Sequence, residues 1–158
     1  CTPVGVIKAG RKCKCCYLMS DESDLVINGI TLTCEGGDCK SRNLVYGIKC
    51  NRCEKGYIGK TTQTVSARIS KHRSYIGSIG TTTEVSDENT LAAHAHYDHD
   101  IRTKDGFDDL YCIYIIKVLT DPSNLTFKEQ ELINLFNTYR PYGLNVSRPI
   151  GLGPVMRH

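Results

Sequence analysis

At 158 residues and 17.6 kDa the chain is long enough for about one domain with one well-buried core, which argues against a multi-domain enzyme. Hydrophobic residues make up 40% and charged residues 23%, the mix of an ordinary globule, and no apolar run approaches the roughly 18 residues a membrane helix needs, so no membrane partner is expected. The net charge of +3 is too mild to name a nucleic-acid partner, and any such argument rests on where the charges lie.

Residues 1–40 read as a cysteine-rich module. Nine cysteines leave one thiol over in any closed disulfide framework, and no secretory h-region is visible at the start. The start at Cys1 is that expected of a piece of a longer protein. Short C-x-x-C spacings beside several histidines favour zinc in a reducing compartment over secreted disulfides. Leu25–Leu32 places Asn28-Gly29 between two β-prone runs, a hairpin signal because both turn residues accept positive φ. That hairpin is expected to carry Cys34 back toward Cys13 and Cys16.

Asn43–Cys50 and Gly56–Lys60 read as two strands joined by a loop holding Cys50 and Cys53. From Thr62 to Ile76, Val65, Ile69 and Ile76 recur at helical spacing, with Arg68, Lys71 and Arg73 on the other face. After a loop at 77–83, Thr90–His99 reads as a short helix with three histidines, and Asp100–Asp109 as a polar connector. Tyr111–Leu119 is apolar on both alternating faces, which predicts a central, doubly covered strand. Asp121–Asn124 breaks the chain, and Thr126–Tyr139 follows as a helix with Leu132, Ile133 and Phe136 on one stripe. The tail from Arg140 is Pro- and Gly-rich.

Between Arg42 and Arg73 there are eight basic residues against one acid, Glu54; between Glu84 and Asp109 there are eight acids against Arg102 and Lys104. A basic side centred on the first strand pair and helix suits a phosphate backbone, and predicts DNA contacts from Lys49, Arg52, Lys55, Lys60, Lys71 and Arg73, with the 84–109 stretch facing away.

Leu44-Val45-Tyr46, then Gly56-Tyr57-Ile58-Gly59-Lys60-Thr61, then Arg68-x-x-x-His72, then Glu129-Gln130-Glu131-Leu132-Ile133 and Pro141-Tyr142-Gly143-Leu144-Asn145, resemble in order the signature of the GIY-YIG nucleases over residues 43–147. The first triplet departs from the motif, with Leu44 and Val45 where Gly and Ile give the name. Cys50 and Cys53 between the two tyrosine motifs, with His94 and His99 downstream, resemble more closely the endonuclease domain of Penelope-like retroelements. The resemblance implies an α+β fold, a small antiparallel three-stranded sheet flanked by helices, as a nuclease domain at 41–148 behind the 1–40 zinc-binding module and before a 149–158 tail. It implies a metal-dependent DNA endonuclease that nicks target DNA for target-primed reverse transcription. The same set also suits a structure-selective repair or recombination nuclease, or a zinc-bound nucleic-acid-binding module without activity. Implied partners are DNA, an upstream reverse transcriptase domain of the same polyprotein and its template RNA, in the nucleus.

By the same resemblance Glu129 holds magnesium or manganese, Arg68 steadies the phosphate, and Tyr46 activates water with its phenol pKa lowered by nearby cations. Tyr57 and His72 orient water and phosphate, and either could share the base role; Asn145 completes the catalytic set. Thr126-x-x-Glu129 also fits a capping box, but Glu129 shares the apolar stripe of its helix, where an unused charge is costly. Cys50, Cys53, His94 and His99 make a zinc set with ordinary spacing, with His96 a rival for one place. Cys13, Cys16, Cys34 and Cys39 are candidates for a second zinc, and Cys112 for a buried core thiol.

Overall fold

A computed structural model of the chain describes residues 14–79 and 84–146. In chain order it has α1 (Lys14–Leu18), a hairpin of β1 (Asp24–Ile27) and β2 (Ile30–Thr33), β3 (Leu44–Cys50), β4 (Gly56–Thr61), α2 (Val65–Ser74) running into a 3-10 turn, α3 (Thr90–His99), α4 (Lys104–Leu110), β5 (Tyr111–Val118) and α5 (Leu125–Phe136). The fold is α+β, and its main sheet is antiparallel with three strands in the order β4-β3-β5. Cys13 and the 149–158 tail lie outside the described residues.

Strand alternation divides the apolar residues between two cores. Tyr46, Ile48, Tyr57, Ile113 and Ile115 face Leu18, Ile69, Leu91 and Phe107 of the four shorter helices. Val45, Ile58, Tyr114 and Ile116 face Leu25 and Ile27 of the β1–β2 hairpin and Leu132, Ile133 and Phe136 of α5. The hairpin turns where expected, with Asn28 at φ 52° and Gly29 at φ 81°. Asn28 Nδ2 donates to the Phe136 and Asn137 carbonyls at 2.8 and 3.1 Å, tying the turn to the end of α5. Described residues of the 1–40 segment thus contribute to both cores.

β5 is doubly covered, as its sequence predicts, but it is not central. It lies at the end of the sheet order, and its outer edge is occupied by the N-terminal segment: Ser20 N donates to Ile113 O, Glu35 N to Ile116 O and Gly36 N to Ile115 O. An apolar pattern on both faces reports coverage above and below, and carries no information about which neighbour fills the edge.

The 100–109 stretch is not simply a connector. Thr103 caps α4 by accepting from Gly106 N at 3.0 Å, and Phe107 and Leu110 are buried. Arg73 of α2 pairs with Asp108 of α4 at 2.8 Å, both side chains nearly buried, so Arg73 is a strut between helices and not a surface phosphate contact. α5 starts at Leu125 behind Asn124, which puts Thr126 inside the first turn and leaves Glu129 free of the capping role.

The cysteines of the first segment do not form one cluster. Cys16 and Cys39 are disulfide-bonded and lie in the core under the helices. Cys34 is a free thiol packed at the other core, with its Sγ 3.8 Å from Leu32 O. The β1–β2 hairpin crosses the second face of the sheet and carries Cys34 away from Cys16 and Cys39, so the proposed second zinc set is not assembled among the described residues.

Candidate active site and metal centre

Tyr46 and Tyr57 stand on adjacent strands and share the sheet face that α2 covers, their ring centroids 6.3 Å apart. α2 places Arg68 and His72 one turn apart on its inner side, directly over them. The Tyr46 hydroxyl lies 2.8 Å from His72 Nε2 and accepts from Arg68 Nε at 3.2 Å. His72 Nδ1 lies 3.3 Å from the Glu88 carbonyl, which can only accept, so Nδ1 carries the ring proton and Nε2 accepts from the phenol.

Gly59 makes this packing possible. It faces Tyr46 across the β3–β4 ladder, and a Cβ there would stand 2.5 Å from Tyr46 Cζ and Oη and 2.8 Å from Tyr57 Cε2. The signal was present in the Tyr57-Ile58-Gly59 triplet, but the reason for the glycine is a cross-strand contact that only pairing reveals.

Electrostatics keep the cluster uncharged apart from Arg68. Burial pushes the Tyr46 phenol up to about 12, against the pull of Arg68, so the expected lowering is absent in the resting site. Burial and the Arg68 charge drop His72 to about 3, which makes it a neutral imidazole. Tyr57 is likewise raised by burial, and its hydroxyl donates to Asp87 O at 3.2 Å.

α5 packs on the opposite core but runs past β4, the outer strand of the sheet, so Glu129 comes round that edge to the same site. Its carboxylate lies 3.7 Å from Lys60 Nζ and within electrostatic reach of Asp87 and Arg68. Burial raises the carboxyl, with Lys60 opposing and Asp87 reinforcing. A half-buried carboxylate with a second acid in electrostatic reach offers the oxygen ligands that a hard divalent cation takes while keeping several waters.

Asn145 does not face the tyrosines. Its Oδ1 accepts from Ile58 N at 2.9 Å and Thr138 Oγ1 at 2.7 Å, and its Nδ2 donates to Ile58 O at 2.9 Å. The amide is spent on the free edge of β4 and holds the strand that carries Tyr57 and Gly59.

The acidic stretch does not face away from this site. Glu88 pairs with Arg68, Asp87 Oδ1 accepts from Val146 N, and Asp108 holds Arg73. Of the remaining basic residues, Lys71 and Arg52 are exposed, while Lys49, Lys55 and Lys60 are half-buried. Lys71 and Lys60 line the cleft beside Arg68; Lys55 lies near His94.

About the β3–β4 turn is the second centre. Cys50 ends β3 and Cys53 sits in the turn, closed by Cys50 N donating to Lys55 O and Glu54 N to Cys50 O. His94 and His99 come from α3, and all four donor atoms lie within 4.8 Å of one another. Cys50 Sγ is 3.4 Å from His99 Nε2, Cys53 Sγ 3.3 Å from His94 Nε2, and the two Nε2 atoms 3.2 Å apart. A tetrahedron with Zn–S of about 2.3 Å and Zn–N of about 2.05 Å has edges of roughly 3.3–3.8 Å, close to these separations. His94 Nδ1–H donates to Asp98 Oδ2 at 2.6 Å, leaving Nε2 bare toward the thiols. The cluster can hold a metal ion. His96 is outside it, its Nδ1 buried without a partner.

No protein-family model, curated protein or solved structure matches the chain.

Proposed function

We propose that the chain is a metal-dependent DNA endonuclease domain of the GIY-YIG type. The observation that carries this reading is the Tyr46 hydroxyl held between Arg68 Nε and His72 Nε2, with the Glu129 carboxylate at the same strand edge. Sheet-core tyrosines do not need a guanidinium and a neutral imidazole on one oxygen; a phenol that must give up and take back a proton does.

Phosphodiester hydrolysis needs an activated water, positive charge on the developing pentavalent phosphate and relief of the leaving oxygen. Glu129 would hold magnesium or manganese, which supplies Lewis-acid charge to the phosphate and the leaving oxygen. Arg68 binds the phosphate with the outer edge of its guanidinium and steadies the Tyr46 oxygen with Nε. Tyr46 takes a proton from the water that attacks phosphorus while its own proton passes to His72 Nε2. As the P–O bond to the leaving oxygen breaks, the proton returns through Tyr46 to that oxygen, and the Glu88 carbonyl holds His72 in the accepting tautomer. Arg68 is part of what depresses His72, so a bound phosphate that neutralises Arg68 also makes His72 a better acceptor. Tyr57 packs the relay, its ring centroid 5.4 Å from that of His72.

The zinc-type cluster braces the β3–β4 turn against α3. In this reading the domain belongs to a retroelement polyprotein, nicks chromosomal DNA in the nucleus, and works beside a reverse transcriptase that copies template RNA from the nick. Lys60 and Lys71 are the basic residues best placed to guide DNA to Arg68.

The test is nicking of supercoiled plasmid in magnesium by wild type and Glu129→Gln. The variant should be inactive yet melt no lower than wild type, because Gln removes a carboxylate whose burial works against folding. Near-wild-type nicking by Glu129→Gln would remove the assigned metal ligand.

A further inference from the structure

Where the end of β4 meets α2, a cleft of about 480 Å³ opens beside the tyrosine cluster. Lys60, Arg68 and Lys71 line it, and among its described lining residues Glu88 is the one acid, with Glu129 behind Lys60. Glu88 stands in the turn before α3 with its side chain 48% exposed, so no core depends on it. Both its oxygens are nonetheless spent on Arg68, Nη1 to Oε1 at 3.3 Å and Nη2 to Oε2 at 3.2 Å. Arg68 therefore has an inner edge on the Tyr46 phenol and an outer fork on a carboxylate. That fork has the planar, two-pronged shape that binds a phosphate oxyanion, for which a carboxylate is a stand-in of similar geometry. One fork cannot hold both.

We propose that the Arg68 fork in this cleft is a phosphate seat and that Glu88 is its resident occupant, which an incoming phosphate oxyanion must displace. The proposal rests on the nuclease reading only in taking the phosphate to be a DNA backbone group. A half-exposed ion pair is weak, so displacement is cheap for a ligand with more than one phosphate to offer. Lys71, exposed on the same cleft, can engage a neighbouring phosphate at the moment Arg68 changes partner. A lone phosphate gains no such second contact and faces the released Glu88 carboxylate at short range. The arrangement thus favours polyanionic chains over single phosphates. The Glu88 backbone carbonyl keeps its bond to His72 whatever its side chain does, so occupancy of the seat is separable from the tautomer of the relay.

The experiment uses the full chain loaded with zinc and two probes, inorganic phosphate and a short fluorescein-labelled duplex without added magnesium. Binding of inorganic phosphate is followed on the Arg68 Nε–H resonance, and duplex binding by anisotropy. Glu88→Gln should bind inorganic phosphate roughly tenfold tighter than wild type, through loss of both the competitor and the like charge. Glu88→Ala, which leaves no side chain to re-bond Arg68, should match it. Duplex binding should tighten in the same direction in both variants. Equal or weaker phosphate binding by the two variants would overturn the proposal and make Glu88 a holder of Arg68. Tighter phosphate binding with unchanged duplex binding would keep the seat and its occupant but take DNA, and with it the nuclease reading, away from them.

Discussion

Cys53→Ser isolates the contribution of the metal cluster, because Cys53 is exposed and its replacement removes no packing. In a metal-free protein an exposed substitution of this kind changes stability by no more than about 0.5 kcal/mol. With metal the expectation is different. The four donor atoms come from the β3–β4 turn and from α3, and an ion at their centre ties these segments together. Without it, the two sulfurs and two ring nitrogens still face one another at 3.2–3.4 Å, and His94 Nε2 has no proton to offer because the one ring N–H, on Nδ1, donates to Asp98. Zinc at a thousandfold excess over its dissociation constant stabilises the folded chain by about 4 kcal/mol. For a chain of this length each kcal/mol moves the melting temperature by about 2–4 °C, giving a shift of roughly 8–16 °C. Differential scanning calorimetry on wild type and Cys53→Ser, each with zinc and after dialysis against a chelator, gives four numbers. Zinc-loaded wild type should stand alone at the high end, the other three should agree, and elemental analysis should find zinc in wild type only. Equal melting of all four samples would refute the cluster as a metal site.

Two further outcomes follow from the tyrosine cluster. Gly59→Ala should cost about 1–3 kcal/mol in denaturant unfolding and slow nicking, since its Cβ would meet the Tyr46 ring at 2.5 Å; an unchanged midpoint would contradict that contact. His72 binds its proton near 3 in the folded chain and near 6.5 when unfolded, so the unfolded state takes up the proton first and stability falls as pH drops through that window. Between pH 7 and 5 this contributes a loss of about 2 kcal/mol. Urea titrations should show a loss smaller by about that amount in His72→Asn than in wild type; equal losses would mean that His72 is not the group responsible.

Much of the fold was legible because local rules and tertiary contacts agree. Asn28-Gly29 requires a two-residue turn whatever surrounds it, and the 126–139 stretch carries Leu132, Ile133 and Phe136 on one stripe, although the helix ends at Phe136 where Asn137 turns left-handed. The position of β5 was not legible, since its outer edge is covered by residues from the first forty, and edge hydrogen bonds are made by backbone that has no sequence pattern. α4 was hidden because only Phe107 and Leu110 mark its buried side. At the site, residue types and spacing brought Tyr46, Tyr57, Arg68, His72 and Glu129 forward, whereas Glu88 and Asp98 were lost in a run of acids that looked like a solvated face. Arg73 was misjudged for the same reason: a charge pattern along the chain does not say that Asp108 lies 2.8 Å away. Asn145 came forward by motif, but its three bonds are to the Ile58 backbone and to Thr138, a role fixed by where β4 ends the sheet.

The central claim is that the Tyr46 oxygen handles the proton of the attacking water. The direct measurement is single-turnover nicking of supercoiled plasmid in magnesium by zinc-loaded wild type and Tyr46→Phe, with folding of the variant checked by its melting temperature. Tyr46→Phe keeps the ring and loses the oxygen that Arg68 and His72 hold, so wild type should nick and the folded variant should not. A wild type that leaves the plasmid intact, or a Tyr46→Phe that nicks at the wild-type rate, would contradict the account.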